Sequence, residues 1–196
     1  YLVTFSYKRA NLVLANSYAS KQDLIENFKV KTPIQVIYNP IDLKAIKRQA
    51  EQPSPLQFDK NTFYFISVGG FRKEKNLPFL LDAFFILKSL PVKLIIVGSG
   101  SLADDLLRKV SDLGLEDKII FTGHDSNPYK YVQRSDCFVL SSYVEGFPNA
   151  LVTVKNATDG SFFLQLNDST TLLPTNMSSS PFGDKEVRAL VNYNEV

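Results

Sequence analysis

The residues best placed to do chemistry lie in Leu140-Ser141-Ser142-Tyr143-Val144-Glu145-Gly146-Phe147-Pro148-Asn149, directly after the apolar run Cys137 to Leu140. A run of that length and content suits a buried strand better than a helix, so the stretch reads as a loop leaving a strand's carboxyl end. Gly146 permits φ > 0, Pro148 locks φ, and a single carboxylate, Glu145, stands at the mouth of the path they define. In an open α/β sheet the carboxyl ends of the strands are where ligands bind. A solvated surface turn would use the same residues, and the rest of the chain decides between the two. Gly69-Gly70 is followed by Arg72, Lys73 and Lys75; Gly98-Ser99-Gly100 and Thr122-Gly123-His124 close two further apolar runs. Glycine at successive strand ends leaves backbone N–H groups open to approach, and cations beside them suit a diphosphate that departs with charge. Cations at a helix start oppose the macrodipole, which favours a ligand over solvation as the reason for Arg72, Lys73 and Lys75.

The elements that must position these groups follow from periodicity. Apolar runs at Thr62 to Val68, Val92 to Val97, Ile119 to Phe121 and Cys137 to Leu140 read as buried strands. Between them, Asn76 to Leu90 carries Leu77, Leu80, Leu81, Phe84 and Leu87 at helical spacing. The next helix runs to Leu113 with Leu102, Leu106, Val110 and Leu113 on one face. Ser101 and Asp104 predict its capping box and Gly114 its C-cap. Pro128 to Arg134 reads as a short helix. Buried strands alternating with amphipathic helices require a parallel sheet covered on both faces: an α/β, Rossmann-like unit. Upstream, Asn11 to Ala15, a helix capped by Ser17 or Ser20 running to Phe28, and Pro33 to Tyr38 read as strand, helix, strand. Pro40 then forces a turn at Asn39-Pro40-Ile41-Asp42. Leu43 to Lys60 reads as an exposed helix and a loop.

Composition narrows the function classes. With 196 residues, 44% hydrophobic and 21% charged, the chain can bury a real core, and a net charge of +2 gives no reason to expect nucleic acid. The single cysteine, Cys137, sits in a strand pattern, reads as core filling, and points to a reducing compartment. No apolar run approaches the length of a membrane span.

The order Asn39-Pro40-Ile41-Asp42, Val68-Gly69 followed by Lys75, Val97-Gly98-Ser99-Gly100, Phe121-Thr122-Gly123, Ser135-Asp136 and Ser142 to Asn149 resembles the retaining glycosyltransferases of the GT-B fold. The bacterial enzymes that build polysaccharide and lipopolysaccharide are the most similar. The resemblance implies an end of an N-terminal domain plus linker over residues 1–42, a partial donor-binding Rossmann-like domain over 43–152, and a divergent, poorly ordered tail over 153–196. It implies Lys75 on the diphosphate and Glu145 as the first carboxylate of a paired motif, these two being the catalytic candidates. Gly69, Gly70, Arg72, Gly98, Gly100, Gly123, His124, Gly146, Phe147, Pro148 and Asn149 line the expected nucleotide-sugar site, with His124 near the base. Two positions depart from the family. Gly70 stands where the family has an arginine, and Thr153 where it has the second carboxylate.

The resemblance further implies a nucleotide sugar as donor substrate with no other cofactor, no metal, a glycan or lipid-linked acceptor, and a cytoplasmic site of action with peripheral membrane contact through the N-terminal domain. A chain truncated in this way is expected to bind nucleotide weakly and transfer no sugar by itself. A dinucleotide oxidoreductase is the other reading, from Gly98-x-Gly100-x-x-Ala103, but that fingerprint belongs at the first strand with an acidic residue ending the next. After Val152 the pattern is lost. Lys155 to Asp168 reads at most as a hairpin around Asp159-Gly160, and no further parallel strand is expected.

Overall fold

The computed structural model describes residues 2–143 and 162–165. Among these the chain divides into two compact units, meeting at Ile41 and Asp42. The first holds α1 (Leu2–Tyr7), β1 (Val13–Ala15), α2 (Tyr18–Glu26) and β2 (Ile34–Val36), with β1 and β2 parallel. Ser17 caps α2 by accepting from the Ser20 N–H at 3.0 Å. The helix α1 was not foreseen. The helix expected to run to Phe28 ends at Glu26, and Ile25 and Phe28 are exposed, the buried apolar residues described in this unit being Val13, Ala15 and Val30.

The second unit runs α3 (Leu43–Ala50), β3 (Phe63–Val68), a 3-10 turn (Lys73–Lys75), α4 (Leu77–Ile86), β4 (Val92–Val97), α5 (Ala103–Leu113), β5 (Ile119–Gly123), α6 (Tyr129–Val132), β6 (Cys137–Leu140) and β7 (Phe162–Gln165). Its sheet order is β5-β4-β3-β6-β7, and every neighbouring pair is parallel. Alternate residues of each strand face opposite layers, as the two-residue period of a strand requires. Phe65, Leu94, Ile96, Cys137 and Val139 pack with α4 and α5, through Leu80, Leu81, Phe84, Leu106 and Val110. Tyr64, Ile66, Ile95, Val97, Phe138 and Leu140 pack on the other face with Tyr131 and Val132 of α6. The fold class is therefore α/β, a Rossmann-like parallel sheet with helices on both faces. No helix among the described residues is long and apolar enough to cross a membrane.

Several expectations are corrected. Residues after Val152 were expected to contribute no parallel strand, yet β7 pairs parallel with β6 in the register Cys137↔Phe162 to Leu140↔Gln165. The intervening residues 141–161 are long enough for a crossover, and a four-residue apolar segment suffices at an edge. The Ser101 capping box does not form. The first turn of α5 begins at Ala103 after Leu102, with no side-chain cap. Gly114 does end α5 in the left-handed region at φ +62°. The helix α3 is not simply exposed, because Ile46 and Ala50 are buried on its α6 side. There Asn127 Nδ2 donates to the Gln49 carbonyl at 2.8 Å. Thr122 and Gly123, expected in a loop, belong to β5.

Candidate functional site

From β3 the chain crosses to β4 and β5 on one side, while β6 and β7 lie on the other. The carboxyl ends of β3 and β6 are thus the topological switch point, where the connections diverge and leave a crevice. A concavity lies there. Val68, Gly69 and Gly70 line it from the end of β3, Leu140, Ser141 and Ser142 from the end of β6, together with the apolar Leu77 and Ile96. Lys75 and Ser67 complete the lining among the described residues.

Each member is held by its element. Asp136 locks the start of β6 beside β3: its Oδ2 accepts from the Tyr64 N–H at 2.7 Å and its own N–H donates to the Tyr64 carbonyl at 2.8 Å. Two bonds then tie the strand ends across the crevice. Ser141 Oγ donates to the Lys75 carbonyl at 2.8 Å, and the Tyr143 N–H donates to the Glu74 carbonyl at 3.0 Å. The Lys75 stem lies over Gly69, where a Cβ would stand 3.6 Å from Lys75 Cε. Arg72 comes near Gly70 in the same way, its Nε 3.5 Å from where a Cβ at residue 70 would stand, and that nitrogen pairs with Glu74 Oε1 at 2.9 Å.

The other glycines answer to neighbouring backbone. At Gly98, φ is +153° and a Cβ would fall 1.9 Å from the Gly69 carbonyl oxygen; at Gly100 it would fall 2.6 Å from that of Phe71. Gly98 and Gly100 therefore let the β4–α5 turn nest against the β3–α4 loop, behind the concavity rather than in it. Gly123 ends β5, the outer strand, two strands from β3, and His124 follows it; the Gly123 carbonyl accepts from the Gly98 N–H at 2.9 Å. His124 is exposed and does not line the concavity. Lys73 is exposed at the start of the 3-10 turn. Of the residues read from the sequence, Gly69, Gly70 and Lys75 converge, with Arg72 alongside. Glu145, Gly146, Phe147, Pro148 and Asn149 lie outside the described residues, as do Thr153 and Asp159-Gly160.

Sequence reasoning included Ser141 and Ser142 in the candidate stretch without giving either a role, and missed Ser67. The available signal was small polar residues continuing a buried strand, since both serines after Leu140 are buried. It also missed a cluster behind His124. Asp125 Oδ2 pairs with Lys130 Nζ at 2.8 Å and accepts from the Tyr131 hydroxyl at 2.9 Å. The Lys130 hydrogen bond holds the Asp125 carboxyl below its usual range, and the same contact raises Lys130. Burial, reinforced by Asp125, raises the Tyr131 hydroxyl. Cys137 is buried in β6, and burial pushes its thiol up to about 12. Among the described residues no group of three His, Cys, Asp or Glu side chains is placed to hold a metal.

A doubly wound parallel sheet with a lysine, glycines and hydroxyls at its switch point defines a Rossmann-like unit whose crevice suits an anion. The chain belongs to the family described as Glycosyl transferases group 1, whose profile matches residues 48–153. A second profile, the NigD-like N-terminal OB domain, matches residues 151–196. Over 153 residues the chain is 38% identical to the N-acetylgalactosamine-N,N'-diacetylbacillosaminyl-diphospho-undecaprenol 4-alpha-N-acetylgalactosaminyltransferase of Campylobacter jejuni, which covers 78% of this chain and 40% of that protein. It is 31% identical over 163 residues to the UDP-Gal:alpha-D-GlcNAc-diphosphoundecaprenol alpha-1,3-galactosyltransferase of Escherichia coli, covering 69% and 42%. The crystal structure of Anabaena Alr3699/HepE in complex with UDP and glucose superposes with a TM-score of 0.65 at 21% identity, covering 83% of this chain and 46% of that one. The chain thus spans about two fifths of the length of these two curated relatives, 40% and 42%.

Proposed function

We propose that residues 43–152 form the donor side of a glycosyltransferase that moves a sugar from a nucleoside diphosphate to a glycan or lipid-linked acceptor in cell-surface polysaccharide synthesis. The observation that carries this reading is the switch-point concavity itself, with Lys75 laid over Gly69 and sharing the lining with Ser141 and Ser142. In transfer, the bond between the anomeric carbon and the diphosphate oxygen breaks and one to the acceptor oxygen forms. The acceptor's proton leaves with the departing diphosphate. Negative charge grows on that diphosphate, and a fixed ammonium beside it stabilises the transition state more than the ground state. The reading includes retention of anomeric configuration and no metal or other cofactor. The name of the Escherichia coli relative, a UDP-Gal-dependent transferase with a diphosphoundecaprenol-linked acceptor, favours UDP as the carrier and a lipid-linked acceptor at the cytoplasmic membrane surface.

The position of Thr153, where the family resemblance calls for a second carboxylate on the ribose, favours a second reading in which the chain binds nucleotide without turnover. Loss of one such hydrogen bond costs about 1.5 to 3 kcal/mol, or about ten- to a hundredfold in affinity. Calorimetric titration of the chain with UDP and GDP tests both readings. Dissociation constants in the millimolar range are expected, weakened at least about tenfold by Lys75→Ala. Binding unaffected by Lys75→Ala would place the site elsewhere. Turnover of a UDP-sugar by the chain alone would overturn the second reading.

A further inference from the structure

Ser141 and Ser142 are adjacent, both buried, and differ in one respect. Ser141 Oγ is spent on the Lys75 carbonyl, whereas Ser142 Oγ is buried, in a residue 2% exposed, without a hydrogen-bond partner. A hydroxyl shut away from water with no partner is costly, and native folds rarely keep one without a reason. Ser142 lines the concavity with Gly69, Gly70, Ser67 and Lys75. Its described neighbours in that lining include a cation, two glycines and further hydroxyls, groups suited to an anionic oxygen.

We propose that Ser142 is a diphosphate-binding residue, its hydroxyl donating to a non-bridging phosphate oxygen held on the other side by Lys75. The proposal rests on the donor-site reading above and adds a contact to it. The geometry explains why the two serines are not equivalent. Ser141 fixes the lysine-bearing turn through its main chain, and Ser142, one residue on, is left with a donor that nothing in the described protein uses. A hydrogen bond to a charged oxygen is worth more than one between neutral groups, so its loss reads as about tenfold or more in affinity.

The test uses the full chain titrated with UDP and with uridine, in wild type, Ser142→Ala, Ser142→Thr and Lys75→Ala. Ser142→Ala is expected to weaken UDP about tenfold and leave uridine unchanged, while Ser142→Thr, which keeps the hydroxyl, stays within about threefold of wild type. A second readout needs no ligand. Removing an unpartnered buried hydroxyl should leave the melting temperature of the free chain unchanged or raise it, whereas a hydroxyl with a structural partner would lower it. If UDP binds and depends on Lys75 but not on Ser142, or if Ser142→Ala destabilises the free chain, the serine proposal is wrong and the donor-site reading stands. If wild type binds no UDP, the donor-site reading falls and the serine proposal with it.

Discussion

Replacing Gly98 by alanine separates a glycine needed by the fold from one needed by a ligand. The new Cβ would sit 1.9 Å from the Gly69 carbonyl oxygen, at a φ of +153° that side chains rarely adopt. Ordinary contact requires more than an ångström of additional separation, and the atom in the way is main chain, tied to β4 by the Gly69 N–H bond to the Val97 carbonyl at 3.0 Å. Backbone strain of about 1 to 3 kcal/mol and overpacking of a similar size together give about 4 kcal/mol. For a unit of this size that is a loss of about 15 °C or more in melting temperature. Two controls divide the effect. Gly114→Ala meets nothing within 4 Å but keeps φ at +62°, so it carries conformational strain alone, about 1 kcal/mol. Gly70→Ala meets Arg72 and Ser99 only at 3.5 to 3.8 Å and has no unusual φ, so it should stay within about 0.5 kcal/mol of wild type. Urea denaturation followed by circular dichroism gives the three values. If Gly98→Ala accumulates unfolded, Gly100→Val against Gly70→Val in expression and solubility reports the same ordering. A Gly98→Ala chain that melts with the wild type but loses UDP binding would refute the packing argument and return Gly98 to the ligand.

Asp125→Asn should lower stability near neutral pH, because it removes the charge that pairs with Lys130 and leaves the Tyr131 hydroxyl a weaker, neutral acceptor. Since the folded carboxyl titrates below its reference of 3.8, its contribution is present above that value and is lost as pH falls through the lower folded one. Melting curves of wild type and variant should therefore converge in acid, and a gap that persists there would show that the charge is not the cause. Cys137 should resist a thiol reagent at pH 8 and react with one equivalent once the chain is unfolded. Because its folded thiol lies at about 12 against a reference of 9.0, unfolding is favoured as pH rises above 9, and rapid native labelling would contradict its burial.

The central sheet could be read from the sequence because its strands are buried on both faces and announce themselves as unbroken apolar runs. The observed bounds of β4 and β6 match the expected ones, and β3 and β5 differ by one or two residues. What depended on atoms from distant segments could not be read. A glycine after a strand looks the same whether a phosphate or a carbonyl approaches it, and only the folded chain shows the Gly69 oxygen against Gly98. The α5 cap failed for a related reason. The Leu102 N–H is taken by the Phe71 carbonyl at 3.3 Å and the Ala103 N–H by that of Gly100 at 3.2 Å, so the turn begins without Ser101 as its cap. The strand β7 was missed because four residues without a following helix pattern carry too little periodicity.

That missed strand bears on the site. Without β7, the outer side of β6 would present unpaired N–H and carbonyl groups, an edge prone to fraying and to pairing with other chains. With it, β6 is hydrogen-bonded on both sides, to β3 through Phe65↔Cys137 and Ile66↔Phe138 and to β7 along its whole length. The next two residues are Ser141 and Ser142, and the bond from Ser141 to the Lys75 carbonyl is as firm as the strand end that carries it. The lysine is therefore positioned by a chain of main-chain contacts that starts at the edge of the sheet: β7 fixes β6, β6 presents Ser141, and Ser141 holds the turn from which Lys75 extends over Gly69. On the proposed reading, catalytic power in phosphate chemistry comes from charges fixed before the substrate arrives, and strand order contributes to that fixing through the main chain of the Lys75 turn.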